Sequence, residues 1–145
     1  MEKTFTLSIK GTPSDDERSA VERGLLMHAY TLGIEQAEPR PLTVLLQDQS
    51  GALAGGLIGN CIWGWLNIRL LWVDESLRGK GHGTQILRAA EEEAAQRGCH
   101  HACLETFNMD ALRFYQREGY TTYGALPDYP KGFTRYSMAK SIGGK

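Results

Sequence analysis

The chain has 145 residues, a formal net charge of -1 and a sequence pI near 6.4. That length suits a single domain over residues 1–145 that buries roughly two thirds of its unfolded surface, with 143–145 as a loose tail. The near-neutral charge leaves no basic excess for phosphates, so no nucleic-acid partner is expected. No apolar run nears the ~20 residues that span a bilayer, and residues 1–11 alternate rather than forming a signal peptide. No membrane partner is therefore expected, and the cytoplasm is the expected location. Cys61, Cys99 and Cys103 form no CxxC pair and are expected as free thiols.

In chain order, Thr4 to Ile9 alternates Phe5, Leu7 and Ile9 with polar residues, which predicts a strand. Gly11, Thr12 and Pro13 break it, and a helix follows with Ser14 as N-cap and Asp15, Asp16 and Glu17 in its first turn. Leu42 to Leu46 predicts a strand that pairs as a hairpin, across the Asp48-Gln49-Ser50-Gly51 turn, with one through Leu57 and Ile58. After a bend at Trp63-Gly64-Trp65, the run Leu66 to Val73 is apolar enough for a central strand buried on both faces. Thr84 to Arg97 predicts a helix with Ile86, Leu87, Ala90 and Ala94 on its buried face and Glu91, Glu92 and Glu93 largely elsewhere. His101 to Phe107 predicts a strand, Asp110 to Glu118 a short helix closed by Gly119, and Tyr120 to Tyr123 and Phe133 to Met138 two final strands. The fold class is mixed α/β.

The segment Arg78-Gly79-Lys80-Gly81-His82-Gly83 falls between the central strand and the next helix, where backbone amides can converge on an anion. A Walker loop needs Lys followed by Ser or Thr, yet Lys80 precedes Gly81; a dinucleotide fingerprint needs a third glycine where Thr84 or Ile86 stands. A glycine turn without a ligand is the remaining bland reading.

This segment resembles the [Q/R]-x-x-G-x-[G/A] signature of the GNAT superfamily of acyltransferases, with Arg78, Gly81 and Gly83 on the defining positions. Val73-Asp74-Glu75 before it, and Asn108, Phe114-Tyr115 and Gly119-Tyr120 after it, extend the resemblance over Leu66 to Tyr120. It implies a mixed, mostly antiparallel sheet, splayed near its middle and flanked by helices. It also implies direct transfer of an acetyl group from acetyl-CoA to an amine acceptor without a metal, and it suggests a homodimer. Pantetheine would pair with the backbone of Leu71, Trp72 and Val73, and the pyrophosphate would meet Arg78, Gly79, Lys80, Gly81, His82, Gly83 and Thr84.

Among catalytic candidates, Tyr115 matches the tyrosine of the family's helix motif and would protonate the departing thiolate; core packing beside Leu112 is the competing reading. Asn108 would contact the cofactor, cap the following helix, or do both with different atoms. The central strand departs from a common family pattern by offering Asn67 and Arg69 instead of a glutamate. Glu105, on the face of Cys103, is the substitute base if burial raises its pKa; a solvated or salt-bridged carboxylate, a water relay, His82 and His101 stay open.

A zinc reading of Cys99-His100-His101-Ala102-Cys103 fails because His100 points away from His101 and Cys103 on a strand. Trp63, Trp65 and Trp72 read as packing for at least two of the three, with lining a cleft as the alternative. The acceptor side is expected around residues 24–40, the Trp63 bend and the loop 127–132. Two competing functions remain: a CoA-binding regulatory module without catalysis, and a nucleotide-binding protein that uses the glycine turn.

Overall fold

The computed structural model describes residues 2–143, in two compact units divided between Gln36 and Ala37. In the first unit the sole helix among the described residues is α1 (Asp15–Thr31). Its start is a capping box: Ser14 Oγ accepts from the Glu17 amide at 3.1 Å, and Glu17 Oε1 accepts from the Ser14 amide at 2.7 Å. Gly33, at φ 89°, ends it in the left-handed region that glycine adopts without strain. The strand expected over 4–9 does not form. Alternation supplies a face, but a strand exists only where its amides and carbonyls find a ladder partner.

The second unit runs β1 (Arg40–Gln47), β2 (Leu53–Ile62), β3 (Trp65–Val73), α2 (His82–Gln96), β4 (His101–Thr106), α3 (Met109–Arg117), β5 (Thr121–Pro127) and β6 (Thr134–Ser141). Its strands form a six-stranded sheet in the order β1-β2-β3-β4-β6-β5, antiparallel except for β3–β4. Pro41 and Pro127 sit on the two edge strands, where a missing N–H costs least. Asp48 Oδ1 knots the β1–β2 hairpin by accepting from the amides of Ser50 and Ala52.

The core lies between the sheet and α2, where Leu42, Leu57, Leu66, Leu87, Ala90 and Met138 are buried. Ile86, Leu87, Ala90 and Ala94 form the buried face of α2 as their spacing predicts, but Glu91 joins them at 8% exposure. Two donors make that burial possible: Tyr120 Oη at 2.7 Å and Lys140 Nζ at 2.9 Å. The expectation that Glu91 lies off the buried face fails because its partners sit 29 and 49 residues away in sequence. Gly143, expected within a loose tail, adopts φ 57°, and a Cβ there would stand 2.9 Å from Ala95 Cβ, so it seats against α2. Gly144 and Lys145 lie outside the described residues.

The central strand is not buried on both faces: Leu70 is 63% and Trp72 49% exposed. The pairing jumps from Gly59↔Ile68 to Ile58↔Leu70, which leaves Arg69 as an extra residue in β3. This bulge inverts the alternation, so Leu66 and Ile68 face the core before it and Leu71 and Val73 after it. Two half-strands of opposite phase therefore read as one continuous apolar run. Only glycine fits opposite the bulge, since a Cβ on Gly59 would lie 2.3 Å from the Asn67 carbonyl oxygen.

Candidate active site at the splayed strands

β3 and β4 pair only through Trp65↔His101, Leu66↔Ala102 and Asn67↔Cys103. Beyond Asn67 the bulge turns β3 away, and its edge from Ile68 to Val73 runs on without a β4 partner. The gap holds an open cleft of about 260 Å³ lined by Asn67, Ile68, Arg69, Cys103, Leu104, Glu105, Tyr123 and Arg135. Glu105 is thus at the cleft, but half-exposed instead of buried, and Arg135 Nε donates to its Oε2 at 2.6 Å. Of the readings open for Glu105, the structure shows the salt-bridged one. Arg135 also lies 4.6 Å from the centre of the Tyr129 ring, which ties the loop after β5 to the cleft. Arg69, by contrast, has no carboxylate within ion-pair distance among the described residues.

The glycine segment forms the turn into α2. Gly79 and Gly81 have φ 79° and 85°, and nothing stands within 4 Å of where their Cβ atoms would be. The turn is open to a close approach from outside. Gly81 is the N-cap of α2, which has neither a side-chain cap nor an acidic residue in its first turn. In α1 and α3, Ser14 and Asn108 accept from those amides and acidic residues flank them. The first-turn amides of α2 are therefore left for an anion from outside, and the helix dipole favours one. His82 Nδ1 is buried beside these amides without a hydrogen-bond partner among the described residues, a further polar atom suited to a ligand oxygen.

Two contacts fix the turn. Arg78 Nε donates to the Val73 carbonyl at 3.3 Å, joining the open end of β3 to the glycine segment. Thr84 Oγ1 donates to Glu118 Oε2 at 3.0 Å, and Arg88 Nε lies 3.3 Å from Glu118 Oε1, which clamps α2 to the end of α3. Gly83 completes the fit, because a Cβ there would stand 3.3 Å from Phe114.

Asn108 does cap α3: its Oδ1 accepts from the Asp110 amide at 2.8 Å and from the Ala111 amide at 3.4 Å. Its Nδ2 makes no hydrogen bond to the described residues. Tyr115 is 7% exposed and meets Phe114 and Tyr120 edge to face at 5.2 and 5.7 Å between ring centres. Its hydroxyl donates to no described residue, and burial pushes its pKa up to about 12. Tyr115 does not line the cleft; through Phe114 it is placed beside Gly83 at the glycine turn. The structure shows the packing reading of Tyr115, with a hydroxyl that has no partner among the described residues.

Other candidates fall elsewhere. His101 stacks on Trp65 at 4.6 Å, at the closed end of the β3–β4 pair. Trp63 and Trp72 are about half exposed, at 48% and 49%, against the expectation of burial for at least two tryptophans. Cys103 Sγ donates to Asn67 Oδ1 at 3.1 Å, and Asn67 Nδ2 donates to Asn60 Oδ1 at 3.2 Å. Burial, and secondarily Glu105, raise the Cys103 pKa, so the residue stands as a thiol and is poorly suited to forming an acyl-enzyme. Tyr123 and Arg135 were not found from the sequence because they reach the cleft only through the β4–β6 register, in which Glu105 pairs with Ser137, and the β5–β6 register beyond it.

The sheet is mostly antiparallel, parts between its two parallel strands β3 and β4, and carries an uncapped helix start beside the gap, an architecture that matches the GNAT acyltransferase fold. The model of the GNAT acetyltransferase family matches residues 7–120, and the chain belongs to that family. It is 39% identical over 132 residues to blasticidin-S acetyltransferase of Streptomyces morookaense, covering 88% of this chain and 93% of that protein. It is 40% identical over 105 residues to an acetyltransferase of Agrobacterium fabrum, covering 72% of this chain and 77% of the other. The crystal structure of an acetyltransferase from Bacillus cereus superposes with a TM-score of 0.81 at 27% identity, covering 93% of this chain and 98% of the other. This protein is accordingly an acyl-CoA-dependent acetyltransferase.

Proposed function

We propose that this acetyltransferase moves the acetyl group of acetyl-CoA directly to an amine of a small polar molecule held in the cleft between β3 and β4. The observation that carries the reading is the continuity of the unpaired β3 edge, Ile68 to Val73, with the glycine turn that opens α2. Acetyl-CoA supplies an activated thioester carbonyl and a thiol leaving group. Backbone groups of Leu71, Trp72 and Val73 hold an extended amide-bearing arm as an added strand would be held. The amides at residues 79–84, with Arg78, Lys80 and His82, hold the pyrophosphate, and Asn108 Nδ2 is free to donate to the same molecule.

In the cleft, Glu105, fixed by Arg135, orients the acceptor amine and passes its proton toward solvent. Tyr115, protonated across the neutral range, donates to the departing sulfur. Holding both reactants in one cleft can itself supply about 7–11 kcal/mol, so no strong base is required. Similarity to blasticidin-S acetyltransferase over 88% of the chain supports a small-molecule acceptor, with blasticidin S as the first to try.

The test follows thiol release from acetyl-CoA with blasticidin S, polyamines, amino acids and peptide N-termini as acceptors. Turnover confined to small molecules supports the reading. Turnover confined to peptides removes the small-molecule acceptor, and binding of CoA without turnover of any acceptor removes every acceptor class on the panel.

A further inference from the structure

The charges around the cleft are unbalanced. Of its three charged lining residues, Arg135 and Glu105 neutralise each other at 2.6 Å, and Arg69 is left over. Arg69 is also the residue the bulge adds to β3, and a bulge re-aims the side chain it carries. Its place is fixed from behind, because Gly59 lets the β2 backbone approach the bulge more closely than any Cβ permits. The cleft is therefore lined by an arginine on β3 without an ion-pair partner among the described residues, beside a carboxylate already tied down.

We propose that Arg69 is a specificity-determining residue, and that the acceptor carries a carboxylate on the same small molecule as its reactive amine. This rests on the transferase reading above and narrows its acceptor. The Glu105–Arg135 pair meets the amine end, and Arg69 receives the carboxylate through a charge-assisted pair of N–H donors. A polycation such as spermidine would bring positive charge against the excess Arg69 charge, so the same residue selects against it.

Matched acceptors separate these alternatives: β-alanine, γ-aminobutyric acid, lysine and phenylalanine, each against its own primary amide, with spermidine beside them. Each pair differs only in the carboxylate. Thiol release is read for wild type, Arg69→Gln and Arg69→Glu, and acetyl-CoA binding is measured by calorimetry on all three. The expected result is a preference of about tenfold or more in kcat/KM for the acid of each pair that turns over, the order of one charged hydrogen bond. In Arg69→Gln the acid-to-amide ratio should fall to near one, and in Arg69→Glu it should invert, with spermidine gaining. In wild type, added salt should shrink the preference.

Amides or spermidine used as well as the acids, a preference that survives Arg69→Gln, or no acid turned over while acetyl-CoA binds would each overturn the assignment. Failure of acetyl-CoA to bind wild type would instead remove the transferase reading. Arg69 is solvent-exposed, so its substitution leaves the core intact.

Discussion

Removing the carboxylate of Glu91 should destabilise the second unit more than any surface charge change. Glu91→Ala deletes two charge-assisted hydrogen bonds, at 2.7 Å from Tyr120 and 2.9 Å from Lys140, and leaves both donors behind. Breaking one side of a buried pair costs about 3–5 kcal/mol. Lys140 retains 24% side-chain exposure and can find water, which places the cost near the lower end, about 3 kcal/mol. For a domain of this size that lowers Tm by about 10 °C. Urea unfolding followed by circular dichroism, with the m-value unchanged, reads the loss directly. Glu91→Leu combined with Lys140→Met and Tyr120→Phe should recover most of it, since all three partners of the buried network then become apolar, a replacement that is often neutral. A loss below about 1 kcal/mol in Glu91→Ala would mean that the carboxylate is solvated despite its position and that the buried network contributes little. Tyr120 packs on Tyr115, so the folded fraction of Glu91→Ala should also turn over more slowly.

Tyr115→Phe should lower kcat by about 10²-fold with acetyl-CoA affinity retained, read by thiol release and calorimetry. With its folded pKa near about 12 against an ordinary value near 10, Tyr115 binds its proton more tightly when folded, so its contribution to stability is complete below pH ~10 and is lost as pH rises toward 12. Activity should accordingly show no Tyr115-dependent fall below about pH 11, and Tyr115→Phe should flatten the alkaline loss of stability. Gly81→Ala places a Cβ at φ 85° and should cost about 1–2 kcal/mol in urea unfolding while weakening CoA binding about tenfold. Cys99, with its pKa raised to about 11 by burial and by Cys61 beside it, should resist iodoacetamide at pH 8 until the chain is unfolded.

The glycine turn into α2 was legible in the sequence because its determinants are local. Gly79, Gly81 and Gly83 must meet backbone constraints within one turn, and the strand before them and helix after them carry their own periodicities. The Asn108 cap and the helix stops at Gly98 and Gly119, with φ 94° and 97°, were legible for the same reason. The bulge at Arg69 was hidden, because it substitutes a phase change for an alternation and so imitates a strand buried on both faces. The cleft between β3 and β4 was legible only in Glu105, since Tyr123 and Arg135 join it through strand register that no local pattern encodes. Glu91 misled for a related reason: a glutamate in a run of three reads as solvated until Tyr120 and Lys140 arrive from distant strands.

The proposed function requires acetyl-CoA to lie along the open edge of β3 with its pyrophosphate on the glycine turn. A crystal structure of the protein with bound CoA tests it most directly. Phosphate oxygens should lie on the amides of residues 79–84, pantetheine should pair with the backbone of Leu71 to Val73, and the sulfur should reach the cleft between β3 and β4. A CoA bound elsewhere, with the α2 amides unliganded and the β3 edge bare, would contradict it.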